Sequence, residues 1–93
     1  MIEEKILTKH PLGKNGKNIS KQTYDLFKGE ILLILRKKEL THNQLFSELN
    51  NKLMKKFAGN ISWFGETVKL DLEARRLIER TASKPQKYKL KHK

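Results

Sequence analysis

The hydrophobic pattern of this chain changes its period once, close to residue 76, and that change constrains the fold more than any other feature. Before it, apolar residues recur at three- and four-residue steps, which is the spacing of a helix with one buried face. After it, apolar and polar residues alternate, as in a strand that covers a core. A chain of 93 residues has room for one small domain. We therefore expect a mainly α domain of the α+β class that ends in a β-hairpin.

Three helices are predicted. Ser20 is a suitable N-cap for a first helix that runs to about residue 38. Thr41 and Gln44 form a capping box for a second helix, which ends near residue 56. A third helix is expected from Ser62 to about Arg75. The apolar spacing predicts that the buried residues include Ile31, Leu35, Leu45, Leu49, Phe64, Val68, Leu72 and Tyr88.

The C-terminal part predicts a hairpin. Residues 77–81 and 86–90 alternate in polarity, and the segment between them is rich in turn-forming residues. Tyr88 and Leu90 are expected to face the core, whereas the lysines between and beside them face water. Residues 39–41 are expected to add a short third strand.

The third helix presents two noteworthy faces. At about 100° per residue, Ser62, Glu66, Lys69 and Glu73 share one side, which we predict to face solvent. Trp63 and Leu70 form a second apolar strip beside the core face. Two alternatives are open for this strip: packing in the core or under the N-terminal segment, which we favour for Trp63, or exposure for self-association.

The order of elements and the sequence from Thr67 to Arg80 resemble the winged helix-turn-helix family. In that family the end of the recognition helix typically reads Leu-Glu-x-x-Gly-Leu-Ile/Val. Leu72-Glu73 and Leu77-Ile78 match this pattern, and Arg76 occupies the usual glycine position. The resemblance covers residues 20–91 and implies a three-helix winged helix-turn-helix with the C-terminal hairpin as its wing. Residues 1–19 would then form a basic N-terminal arm, and residues 92–93 a tail.

The whole chain also resembles a group of small uncharacterised bacterial proteins. That resemblance rests on the stretches from Lys5 to Lys14 and from Trp63 to Arg75. It supports a winged helix and implies no activity.

The charge of the chain points to nucleic acid. The formal net charge is +11, and residues 81–93 hold five lysines and no acidic residue. Such an excess attracts phosphates, and the winged-helix resemblance implies duplex DNA as the partner and transcriptional regulation as the role. The expected DNA contacts are Ser62, Lys69 and Arg76 of the third helix and its end, Lys84, Lys87, Lys89 and Lys91 of the wing, and Lys14 and Lys17 of the arm. Glu66 and Glu73 repel phosphates, so we expect the wing to contribute more than the third helix.

A protein-interaction or dimerisation module without specific DNA binding is the alternative. Residues 61–80 carry no net charge, because four basic residues balance four acidic ones, and the strip of Trp63 and Leu70 is apolar. A homodimer or another protein would be the partner in that case.

Other classes of function are disfavoured. The chain has no cysteine, and its three histidines lack metal-ligand neighbours at helical spacing. No paired base and nucleophile and no phosphate-binding loop are recognisable, so we expect neither an enzyme nor a cofactor or metal. The longest apolar run, Ile31–Leu35, is too short to span a membrane. A cytoplasmic location is therefore expected.

Overall fold

The computed structural model describes residues 4–13 and 16–91, so Lys14, one of the predicted contacts of the arm, lies outside the described residues. Three helices and two small antiparallel sheets form an α+β domain, as the sequence predicts. The elements in chain order are β1 (Lys5–Leu7), β2 (Asn18–Ser20), α1 (Lys21–Lys37), β3 (Leu40–Thr41), α2 (His42–Leu53), α3 (Ile61–Ala74), β4 (Ile78–Arg80) and β5 (Lys87–Leu90). β1 pairs with β2, and the second sheet has the order β3-β5-β4.

Local side-chain caps fix where the helices begin. The Ser20 hydroxyl accepts a hydrogen bond from the Thr23 N–H at 3.1 Å, which starts α1. Thr41 and Gln44 form the predicted capping box, with reciprocal bonds of 3.0 and 3.2 Å. The start predicted for the third helix is wrong by one residue. Asn60 caps α3 because its side-chain oxygen accepts from the Trp63 N–H at 2.9 Å.

α3 ends in a Schellman motif. The Leu77 N–H donates to the Leu72 carbonyl at 2.9 Å, and the Arg76 N–H donates to the Glu73 carbonyl at 3.0 Å. Arg76 therefore adopts the left-handed conformation, with φ of 62°, at the position where the winged-helix pattern has glycine. This corner turns the chain directly into β4.

The core is built on α1, with α2, α3 and the three-stranded sheet packed around it. Seven of the eight residues predicted to be buried are so, and Phe64 is the exception because it is only partly buried. Its ring packs at the edge of the core against Phe27 and Phe57, with centroid distances of 5.9 and 5.2 Å.

The N-terminal segment packs against the domain. β1 and β2 form a hairpin whose Ile19 is only 4% exposed and belongs to the main core. The backbone crosses itself closely near Gly16, where an added Cβ would lie 1.6 Å from the Thr8 carbonyl oxygen. Residues 1–19 are predicted to form a basic arm, and the described part of this segment also contributes Ile19 to the core.

Candidate binding surfaces

α3 turns charged side chains toward the protein interior. Lys69 is 1% exposed, and its Nζ donates to the Tyr88 hydroxyl at 3.0 Å. The same ammonium lies 3.4 Å from Glu73, 3.5 Å from Glu66 and 4.2 Å from the centroid of the Tyr88 ring. The prediction that Lys69 faces solvent is wrong, so the side chain predicted to contact DNA is buried. The physical reason is that β5 places Tyr88 directly against this side of the helix.

Glu73 belongs to the same polar cluster as Lys69 and Tyr88. Its side chain is 9% exposed and accepts from the Arg80 Nε at 3.1 Å, which joins α3 to β4. The C-terminal hairpin therefore covers Lys69 and Glu73 on the side of α3 that we predicted to be solvated, whereas Ser62 and Glu66 on that side remain accessible to solvent. At Glu73 the expected repulsion of phosphates is reduced, because two cations neutralise its carboxylate.

Asp71 forms a second polar cluster on the other side of α3, and sequence reasoning missed it. Its carboxylate is fully buried and accepts hydrogen bonds from the Tyr24 hydroxyl, from the Lys9 N–H at 2.8 Å and from the Arg75 Nε at 2.8 Å. Burial, together with the hydrogen bond to this carboxylate, raises the pKa of the Tyr24 phenol above its ordinary value. The cluster thus joins α1, α3 and the N-terminal hairpin.

A signal for Asp71 was present in the sequence. The residue lies between Val68 and Leu72 on the apolar face of the third helix, and Arg75 follows at the i+4 position that favours an ion pair. A charged residue on a core face needs buried partners. The identity of those partners could not be read locally, since Tyr24 and Lys9 are 47 and 62 residues away.

The outward side of α3 is uncharged. Trp63 is 44% exposed, and Leu70 is partly exposed on the same side, so the alternative that we favour for Trp63, burial in the core or under the N-terminal segment, is wrong. Thr67 and Ala74 continue this side at helical spacing, and Ala74 lines one depression together with Leu7 of β1. The apolar strip is therefore at the surface because the two polar clusters fix the rotation of α3.

The predicted basic contacts of the wing and of the end of the third helix fall into two groups. Lys84 and Lys87 lie at the turn end of the hairpin; Lys84 is exposed and Lys87 is half-buried. Arg76 and Lys91 are exposed at the opposite end, where they line a shallow depression with Pro11, Glu73 and Glu79. Four residues of strand separate the groups by about 13 Å.

Lys89 is partly neutralised. It faces Glu79 across the β4–β5 ladder, and its Nζ lies 3.5 Å from the Glu79 carboxylate. Ser62 at the start of α3 and Lys17 just before β2 are both exposed, and their role as contacts stays a prediction.

Two kinds of feature are absent from the described ranges, 4–13 and 16–91. No cluster of three or more His, Cys, Asp or Glu side chains there could hold a metal ion. None of the helices there combines the length and the apolar character that crossing a membrane requires.

The fold and its surfaces define a small basic α+β domain with a C-terminal hairpin. The chain belongs to the family described as Family of unknown function (DUF6958), which matches residues 5–88. Neither a curated protein nor a solved structure gives a significant match to the chain. The function therefore has to be argued from the surfaces themselves.

Proposed function

We propose that this domain is a winged helix that binds duplex DNA through the phosphate backbone, with the β4–β5 hairpin as its wing. The order of three helices and a hairpin supports the arrangement, as does the left-handed corner at Arg76. The charge of +11 supplies the attraction to phosphates. A regulatory role would follow from such binding and is part of the same proposal.

One observation carries the choice of surface. At the turn end of the hairpin, Lys84 and Lys87 reach solvent, and neither forms an ion pair with any of the described residues. Glu79 is the acidic residue of the two strands, and it is paired with Lys89. A positively charged surface without competing carboxylates is the kind that replaces counterions along a phosphate backbone.

The binding is proposed to be largely independent of sequence. Base recognition in the major groove depends on polar side chains such as Arg, Lys, Asn or Gln that reach the base edges. The outward side of α3 carries Trp63, Thr67, Leu70 and Ala74 instead, while Lys69 is held inside by Tyr88. Contacts to phosphates position a protein on DNA without selecting its sequence.

The test is the binding of a fluorescently labelled random-sequence duplex, followed by anisotropy at about 50 and 200 mM salt. Wild-type protein is expected to bind at the lower concentration and to weaken steeply at the higher one. Each phosphate contact contributes about 0.9 to the magnitude of the slope when the logarithm of the association constant is plotted against the logarithm of the salt concentration. The double variant Lys84→Gln, Lys87→Gln is therefore expected to lose up to about 1.8 of that slope.

Lys55→Gln, Lys56→Gln is the matched control, because it removes the same charge from exposed positions. Lys55 and Lys56 follow the C-terminal end of α2, whereas β3, the strand that pairs with Lys87, precedes its N-terminal end. The twelve residues of α2 separate the two ends by about 18 Å. An equal loss in both double variants would contradict the hairpin as the binding surface. No binding of wild type at low salt would contradict DNA binding altogether.

A further inference from the structure

We propose that the outward side of α3 is a docking surface for a short acidic amphipathic helix from another protein. The surface, called here the α3 strip, consists of Leu7, Trp63, Thr67, Leu70 and Ala74. It lies apart from Lys84 and Lys87, so the proposal does not depend on DNA binding.

The geometry of the α3 strip suits a helical partner. Residues 63, 67, 70 and 74 follow one another at steps of three and four, which places them in one line along α3. Their span of eleven residues corresponds to about 16 Å, or roughly three helical turns. Leu7 is 63% exposed and borders the same depression as Ala74, so it forms one wall at the C-terminal end of the strip. Amphipathic helices bind apolar surfaces through residues at the same spacing.

The size of the strip argues against a second copy of this chain as the occupant. An aromatic side chain buries roughly 150–250 Å² in all, so the 44% exposure of Trp63 leaves about 100 Å² to be covered. Leu7 offers a similar area, and Thr67, Leu70 and Ala74 are more buried than either. A stable dimer needs about 800 Å² from each partner. Two copies that each carry a charge of +11 also repel each other.

The charge beside the strip selects an acidic partner. Lys5 and Lys9 are both exposed, and they stand two residues before and after Leu7, on the same side of the extended chain. Lys9 also lines the depression between Leu7 and Ala74. At the other end, Glu66 has its ion pair with Lys69. A bound helix would thus place its acidic residues against Lys5 and Lys9, and its apolar residues against Trp63 and Leu70.

Trp63 makes the test direct because it is the single tryptophan of the chain. The intrinsic fluorescence of Trp63 therefore reports burial of the α3 strip, and no added label is needed. The probe is a synthetic helical peptide with leucines at i, i+3, i+4 and i+7 and glutamates on its other side. One control peptide has the same composition in scrambled order, and another has lysines in place of the glutamates. We expect a blue shift that saturates with the acidic amphipathic peptide and with neither control.

A pair of leucine variants locates the contact. Leu7→Gln is expected to weaken binding of the acidic peptide about tenfold, because the apolar wall is lost. Leu33→Gln removes a leucine that is 41% exposed on α1, and it is expected to leave the affinity unchanged. Equal binding of the scrambled peptide, absence of any blue shift, or equal losses in both variants would overturn the proposal. So would sedimentation of the protein alone as a dimer that Leu7→Gln dissociates, since a second copy would then cover the strip.

Discussion

At the scale of single residues, Arg76 shows how a local conflict is resolved by the chain around it. Its φ of 62° lies in the left-handed region, which costs a residue with a Cβ roughly 1–2 kcal/mol relative to the right-handed helix. The Schellman bonds of Arg76 and Leu77 nevertheless require that conformation, because they satisfy the last carbonyls of α3. Arg76 is thus held in a conformation that glycine adopts without that cost.

Arg76→Gly is therefore expected to stabilise the domain by about 0.5–1 kcal/mol, since part of the gain is offset by the greater freedom of glycine in the unfolded chain. Urea unfolding measures the change. Arg76→Ala is the matched control, because it removes the same side-chain charge and keeps the Cβ. A gain of the same size in Arg76→Ala would show that charge, and not backbone conformation, is responsible.

At the scale of elements, the rotation of α3 is set by partners that lie far away in sequence. Lys69 meets Tyr88, which is 19 residues away, and Asp71 meets the Lys9 backbone, which is 62 residues away. Once these two polar clusters are inside, Trp63 and Leu70 are left outside. The charged side chains of this helix therefore specify its orientation as much as its apolar residues do.

The difference between local and distant interactions explains which features the sequence could predict. The caps at Ser20 and Thr41 and the change of period near residue 76 are local, so a single sequence predicts the elements and most of the core. The outward face of α3 was predicted wrongly, because local reasoning assigns charged residues to solvent. Burial of Lys69 and Asp71 is favourable because the folded chain brings distant partners to α3, namely Tyr88 for Lys69, and Tyr24 and the Lys9 N–H for Asp71.

Asp71→Asn tests how firmly this cluster holds the elements together. The substitution keeps the shape of the side chain and leaves the Arg75 guanidinium without its buried counter-charge. The Arg75 side chain is 35% exposed, so water still reaches its charge, and the expected cost is that of weakened hydrogen bonds to a buried carboxylate, about 1.5–3 kcal/mol. The melting temperature is therefore expected to fall by at least about 6 °C, at about 4 °C or more for each kcal/mol in a domain of this size.

Asp25→Asn provides the comparison. Asp25 has the same i, i+4 geometry with Lys21, but the two side chains are 53% and 49% exposed. Such a pair contributes under about 1 kcal/mol. Melting temperatures lowered equally by the two substitutions would contradict a special role for the buried cluster.

At the scale of the whole molecule, a few charged side chains of α3 are buried in ion pairs, while most of the other charged side chains lie at the surface. Carboxylates of α3 that are mostly buried pair with Lys69, Arg75 and Arg80, which leaves much of the net charge of +11 on the surface. The radius of gyration is 13.0 Å, so the surface cations repel one another over distances comparable to the molecule itself. The same excess that would attract DNA therefore opposes folding.

This division predicts that salt stabilises the folded protein. The Debye length falls from about 30 Å at 0.01 M ionic strength to about 8 Å at 0.15 M, so repulsion across the molecule is present at the first concentration and largely screened at the second. The ion pairs of Asp71 and Lys69 are screened less, because both of these side chains are buried. We expect the melting temperature to rise with sodium chloride over this range, by about 4–8 °C if screening is worth about 1 kcal/mol. Lys55→Gln, Lys56→Gln should melt higher than wild type at low salt and gain less on addition of salt. A melting temperature that falls with salt would show instead that exposed ion pairs dominate the electrostatics of this fold.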